Sequence, residues 1–204
     1  MSVGENLIDL LESIDKEIDF AGRKKDEVKL LAVTKTVDVE RIKEIKEFGL
    51  KEIGENKVQE IEEKYDALKD DFDFHMIGSL QKNKINKLLG KIKLIHSLDS
   101  LSLIEALDKR LANNNMELDG LLQVNISKEE SKSGFYKDEV EKALEQMHEY
   151  KNLHIVGFMT MAPFTEDEAV VRNTFRGLYE LKEKLSAKNF DNVDLKYLSM
   201  GMTH

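Results

Sequence analysis

The sequence has no cysteine, no tryptophan and a single proline in 204 residues. Without cysteine there are no disulfides, no thiolate metal sites and no cysteine nucleophile. No stretch approaches the roughly 18 consecutive apolar residues of a membrane span. A charged leader followed by an apolar core is also lacking: the N-terminus, MSVGENLIDLLESIDKEID, is acidic and amphipathic, unlike a secretory signal. These absences point to a cytoplasmic protein with no membrane partner. Positive charge is in deficit. Against 40 Asp and Glu stand 31 Lys and Arg, a net charge of −9, which argues against a nucleic-acid partner held by bulk charge. A chain of this length is expected to form one domain, here residues 1–204. Its low proline content fits helices and strands joined by short connections.

What the chain does have is alternation of short apolar runs with longer charged, amphipathic stretches. After a first helix from Glu5 to Phe20, strands are expected at Val28–Thr34, Lys51–Gly54, Phe74–Ile77, Lys93–His96, Leu121–Ile126, His154–Met159 and Leu195–Ser199. Between them, helical spacing predicts helices after Asp38, from Lys57 to about Lys69, from Lys82 to Leu89, through Leu101–Leu111, from Asp138 to Tyr150 and from Glu166 to Lys188. Asp38 is placed to cap its helix and Gly49 to end it. Such βα steps imply a parallel sheet with outer helices, as an open doubly wound sheet or a closed barrel. Polar residues stand at the C-terminal end of nearly every strand, as the mouth of a barrel requires, rather than at one switch point. The fold class is therefore α/β, a TIM-type (β/α) barrel with an extra N-terminal helix. A complete barrel takes about 250 residues, so an eighth strand and the last helix are expected to be missing from this chain.

Lys35 follows a wholly apolar strand, which puts its amine at the mouth. A partly desolvated lysine is a nucleophile able to form a Schiff base with an aldehyde; equally, it is an ordinary rim lysine. Asn56, after a tight Gly54-Glu55 turn, is either a mouth amide or the N-cap of the next helix. His75 lies inside a strand, where a satisfied core histidine is the plain alternative. Asn125, Ser127, Ser131, Lys132, Ser133 and Gly134 form a polar loop of the length of a binding loop. Ser199-Met200-Gly201-Met202-Thr203 can turn backbone N–H groups toward an anion, since late strand ends of barrels commonly hold phosphates; an ordinary glycine turn explains it as well. There is no Walker loop, no GxGxxG and no HExxH, and the histidines are scattered, so no metal site is expected.

Seven stretches, in order along the chain, resemble one family: LLAVTKTV (30–37), FGLKEIGENKVQE (48–60), FHMIGSLQKNKINKL (74–88), IHSLDS (95–100), LLQVNISKEESKSG (121–134), GFMTMAP (157–163) and LSMGMTH (198–204). The sequence is similar to the pyridoxal-phosphate homeostasis proteins, single-domain relatives of the alanine racemase N-terminal barrel. The resemblance implies a TIM-type barrel holding pyridoxal 5′-phosphate (PLP) as an internal aldimine on Lys35. By the same resemblance Asn56 lies beside the cofactor, His75 is close by, and Ser199 with the backbone around Gly201 belongs to the phosphate cup. In the family the chain continues through an acidic residue and a helix into a strand with an Arg-x-Gly-[Ser/Thr] motif, which this sequence lacks.

The function implied is buffering or delivery of PLP within vitamin B6 homeostasis, without efficient catalysis, by a monomer that hands the cofactor to PLP-dependent apo-enzymes. No catalytic residue is assigned. A racemase cycle needs a second acid or base opposite the lysine, and the resemblance implies that racemases take theirs from a second domain. The alternative is a PLP-dependent amino-acid racemase or lyase using Lys132 or His75; Tyr136 is the one tyrosine not placed away from the mouth.

Overall fold

The computed structural model describes residues 3–129 and 132–201. Its strands are β1 (Ala32–Val33), β2 (Glu52–Glu55), β3 (Asp73–Met76), β4 (Leu94–Leu98), β5 (Leu118–Asn125), β6 (Phe135–Tyr136), β7 (Leu153–Met161) and β8 (Val193–Gly201). The helices are α1 (Val3–Phe20), α2 (Val39–Glu44), α3 (Val58–Leu68), α4 (Ile85–Leu88), α5 (Leu101–Asn113), α6 (Val140–Glu145) and α7 (Glu168–Ser186). Every strand pairing is parallel, in the order β1-β2-β3-β4-β5-β7-β8, with β6 attached to β5. The order follows the chain without reversal, which is the barrel arrangement and not the doubly wound one.

Register separates the two faces of the sheet, since partners in a ladder share a face. Val33, Gly54, His75 and Leu94 are in one line, and Gln123, Met159 and Ser199 in another. These face inward, where Leu94, Leu121, Val156 and Met159 form a small apolar cluster. The alternate residues, such as Ile53, Phe74, Ile95, Leu122 and Phe158, point outward into the main core beneath the helices. The sheet is strongly curled. In a flat sheet β4 and β8 would be three strand spacings apart, about 14 Å, yet His96 of β4 and Ser199 of β8 are hydrogen-bonded at 2.8 Å.

The expected caps are present: Asp38 accepts from the Arg41 N–H at 3.0 Å, and Gly49 is left-handed with φ 77°. Several expected boundaries are corrected. The run Val28–Thr34 contributes only Ala32 and Val33 to the sheet, because among the described residues β1 pairs with β2 alone, a strand four residues long. The last strand extends beyond Leu195–Ser199 at both ends because β7 offers it partners from Ile155 to Met161; the ladder sets its length. The expected helix from Lys82 begins as a 3₁₀ turn, Lys82–Lys84, and those after Asp38 and Asp138 end in one, Ile45–Phe48 and Gln146–Glu149. The β6 pairing was not foreseen. No helix among the described residues is long and apolar enough to cross a membrane.

Candidate functional site

Lys35 sits directly after β1 and is exposed. Among the described residues its ammonium meets no carboxylate. The backbone around it is tightly held. Val37 N–H donates to the Thr34 carbonyl at 3.0 Å, closing a four-residue turn with Lys35 and Thr36 at its centre. Thr36 has φ 62° while Lys35 is not left-handed, the pattern of a type II turn, whose third position normally carries Gly or Asn. A β-branched residue there costs about 1–3 kcal/mol and persists only if its surroundings hold it.

They do so from both sides. The Thr36 N–H donates to Glu60 Oε1 at 2.9 Å. On the other flank, Thr34 Oγ1 donates to Glu55 Oε1 at 2.7 Å, while Lys64 Nζ donates to the Thr34 carbonyl at 2.8 Å and to Glu55 Oε1 at 2.7 Å. Glu55 is wholly buried and Lys64 nearly so. Burial pushes the Glu55 carboxyl up, the hydrogen bonds from Lys64 and Thr34 oppose the rise, and the neighbouring Glu60 adds to it. Glu55, Glu60 and Lys64 were not singled out from the sequence. The signal was there: Glu55 follows Ile53 on the outward, core-facing alternation of β2, and Lys64 lies on the same helical face as Ile61 and Leu68.

Asn56 does not cap α3. The N-cap is Lys57, which makes no side-chain cap bond, so the capping alternative is corrected because the helix begins one residue later than that role requires. Asn56 is exposed at the end of β2 and packs on Gly78. A Cβ on Gly78 would lie 2.1 Å from the Asn56 carbonyl oxygen and 2.6 Å from its Oδ1, so this close approach requires glycine. Beside Asn56 an open groove of about 640 Å³ runs past Lys57, Glu60, Ser79, Gln81 and Lys84.

His75 is buried and does not stand alone. Its Nδ1 lies 2.9 Å from His96 Nε2, and His96 Nδ1 lies 2.8 Å from Ser199 Oγ. The histidines are therefore less scattered than the sequence suggested, and His96, missed there, is the one in contact with Ser199. Burial, reinforced by His75, pushes the His96 imidazole down to about 3. His75 is lowered by burial and by Lys93 and Lys29, against the pull of Glu52 and Asp73. Both rings are neutral near pH 7, so each has one donor and one acceptor nitrogen. His75 Nε2 has no hydrogen-bond partner among the described residues. Gly201 ends β8 opposite Met161, and a Cβ there would meet nothing within 4 Å among the described residues. Met202 and Thr203 lie outside the described residues. Among those described, no hydrogen bond joins Lys35 to Asn56, His75, Ser199 or Gly201.

The polar loop after β5 is tied down from within. Asn125 Nδ2 donates to the carbonyls of Glu129 (2.8 Å) and Lys132 (3.2 Å), and Gln123 Nε2 to that of Ser133 (3.0 Å). Ser131 lies outside the described residues. Lys132 is engaged by the Met161 carbonyl at 3.3 Å and by Glu129 at 2.9 Å, and Tyr136 stands exposed in register with Asn125.

A parallel sheet ordered along the chain, with helices outside and polar groups at its C-terminal strand ends, defines a protein of the (β/α)-barrel class. The family described as "Alanine racemase, N-terminal domain" matches residues 11–204. A pyridoxal phosphate homeostasis protein of Aquifex aeolicus is 43% identical over 205 residues, covering 100% of this chain and 89% of its own. One from Helicobacter pylori is 39% identical over 180 residues, 86% of this chain and 78% of its own. Among solved structures, an unknown protein from Bifidobacterium adolescentis superposes with a TM-score of 0.92 at 31% identity, over 97% of this chain and 85% of that one. PipY of Synechococcus elongatus with PLP bound gives 0.73 at 28% identity, over 93% and 88%. The alanine racemase of E. faecalis, at 16% identity and a TM-score of 0.70 over 89% of this chain and 48% of its own, shares the fold. The chain belongs to the alanine racemase N-terminal domain family, and within it to the pyridoxal phosphate homeostasis proteins.

Proposed function

We propose that residues 1–204 act as one PLP-binding unit that holds the cofactor on Lys35 and buffers or delivers it to PLP-dependent apo-enzymes, as a cytoplasmic monomer without efficient catalysis. The observation that carries this reading is Lys35 itself: an exposed amine with no carboxylate partner among the described residues, on a turn clamped on both flanks. The cofactor supplies an aldehyde, with which a lysine amine condenses with loss of one water.

The other residues fit such a group. If His96 Nδ1 donates to Ser199 Oγ, the serine hydroxyl proton is free to point at a phosphate. His96 Nε2 then accepts from His75 Nδ1, and the bare nitrogen is left at His75 Nε2, the atom without a hydrogen-bond partner among the described residues. The chain of neutral rings thus orients Ser199 as a donor. Gly201 brings no side chain to the end of β8, which suits backbone contact with an anion, and Asn56 presents its amide beside β2. The non-catalytic reading is supported by Lys132, whose ammonium is occupied by a carbonyl and a carboxylate, and by the low proton affinity of His75 and His96. Both features count against Lys132 and His75 as the second acid of a racemase. The similarity to PLP-bound PipY supports the choice of cofactor. The test is a spectral titration with PLP. Wild type is expected to develop the absorbance band of lysine-linked cofactor and Lys35→Ala is not; equal spectra for the two would refute the assignment.

A further inference from the structure

Two residues of α3, one helical turn apart, grip the turn that carries Lys35, and they do so with opposite chemistry. The Glu60 carboxylate takes the N–H of Thr36 at 2.9 Å, and the Lys64 ammonium takes the carbonyl of Thr34 at 2.8 Å. Residues at i and i+4 share a helix face, so one rigid element reads the donor on one side of Lys35 and the acceptor on the other. The Lys64 end is buried against Glu55, and the Glu60 end holds the strained, left-handed Thr36.

The Glu60 half of this clamp is more than the turn itself requires. A glycine at position 36 would satisfy the same type II turn without strain, and β1 is held to β2 by Ala32, Val33 and the Thr34 N–H, which donates to the Gly54 carbonyl at 3.0 Å, all ahead of Thr36. What a stiff turn adds is a fixed exit direction for the Lys35 side chain. We propose that Glu60 is a positioning residue for Lys35: by holding the Thr36 amide it fixes the turn that aims the lysine amine at its carbonyl-bearing ligand. This rests on the reading of Lys35 as the PLP lysine. No ion pair joins Glu60 to the Lys35 amine among the described residues; its bond is to the Thr36 N–H, so it acts through the backbone. Pre-ordering the amine lowers the conformational cost of forming the linkage, so its loss is read in affinity and in the rate of linkage, not only in folding.

The experiment uses the full chain with four substitutions, Lys35→Ala, Glu60→Ala, Glu60→Gln and Thr36→Gly. It follows PLP titration, the rate at which the lysine-linked band appears, apo melting temperature, and amide exchange at Thr36 in the apo protein. Glu60→Ala is expected to bind PLP about tenfold more weakly and to exchange the Thr36 amide faster. Glu60→Gln, whose side-chain carbonyl accepts the same N–H, is expected to recover most of both. The decisive variant is Thr36→Gly. It removes the strain, so the apo melting temperature is expected to hold or rise, while freedom in the turn slows linkage and weakens PLP binding several-fold. If Thr36→Gly binds PLP as tightly and as fast as wild type, or Glu60→Gln fails as badly as Glu60→Ala, the positioning role is overturned. Should Glu60→Ala not fold, Thr36→Gly and Glu60→Gln decide alone. If Lys35→Ala forms the same band as wild type, the PLP assignment of Lys35 fails, an outcome distinct from the failure of Glu60.

Discussion

His96 occupies the middle of a chain of side chains running from β3 through β4 to β8, with His75 on one ring nitrogen and Ser199 on the other. Its folded pKa of about 3 lies below the ordinary histidine value near 6.5. Between those two values the unfolded chain binds a proton that the folded one refuses, so stability rises with pH across that window and is lost as the solution is acidified. Denaturant unfolding between pH 6.5 and 3 is expected to show a steeper pH dependence in wild type than in His96→Leu, by at most about 1.4 kcal/mol per pH unit. Equal slopes would show that the ring is protonated in the folded protein. Ser199 could be picked out of the sequence as a strand-end residue at the mouth, and His75 as a histidine inside a strand that the family resemblance puts near the cofactor. His96 could not, because its contact with Ser199 joins strands that are distant along the chain and meets only once the sheet has curled.

At the scale of elements, α3 has two jobs. Val58, Ile61 and Leu68 bury its apolar face, and Lys64, on that same face, closes a buried ion pair with Glu55. Removing one partner leaves a charge in the core, so Lys64→Met is expected to cost about 3–5 kcal/mol in denaturant unfolding. The double variant Lys64→Met with Glu55→Leu is expected to regain much of it, although it releases Thr34. A Lys64→Met protein as stable as wild type would mean that the pair is not formed. Much of the element plan was legible: the cap at Asp38 and the glycine at position 49 are local chemistry, and helical periodicity located α3 and α5 within a residue or two. Strand ends were not legible, because β1 is cut short and β8 lengthened by what their neighbours offer as ladder partners.

For the whole molecule, the rule that polar residues at every strand end favour a barrel over a doubly wound sheet held, since the strands are ordered along the chain without reversal. Lys35, Asn56, Ser199 and Gly201 all come out at C-terminal strand ends, with His75 and His96 inside the barrel beneath Ser199. That geometry places Lys35 and the Ser199 hydroxyl at the mouth, while Lys132 is already engaged. Exchange of the α-proton of alanine in deuterated water, with the PLP-loaded protein, is therefore expected to run far below the 1–1,000 per second or so of typical enzymes. Turnover within that range would instead assign a racemase or lyase activity and a second acid or base that the described residues do not reveal.

The central claim is that the amine of Lys35, presented on its clamped turn, is where the cofactor is held. Borohydride reduction of the PLP-loaded protein, followed by peptide mapping by mass spectrometry, tests it most directly. The cofactor's added mass is expected to fall on the peptide containing Lys35, and Lys35→Ala is expected to carry none. Label on another lysine with Lys35 unmodified, or no stable label at all, would contradict it.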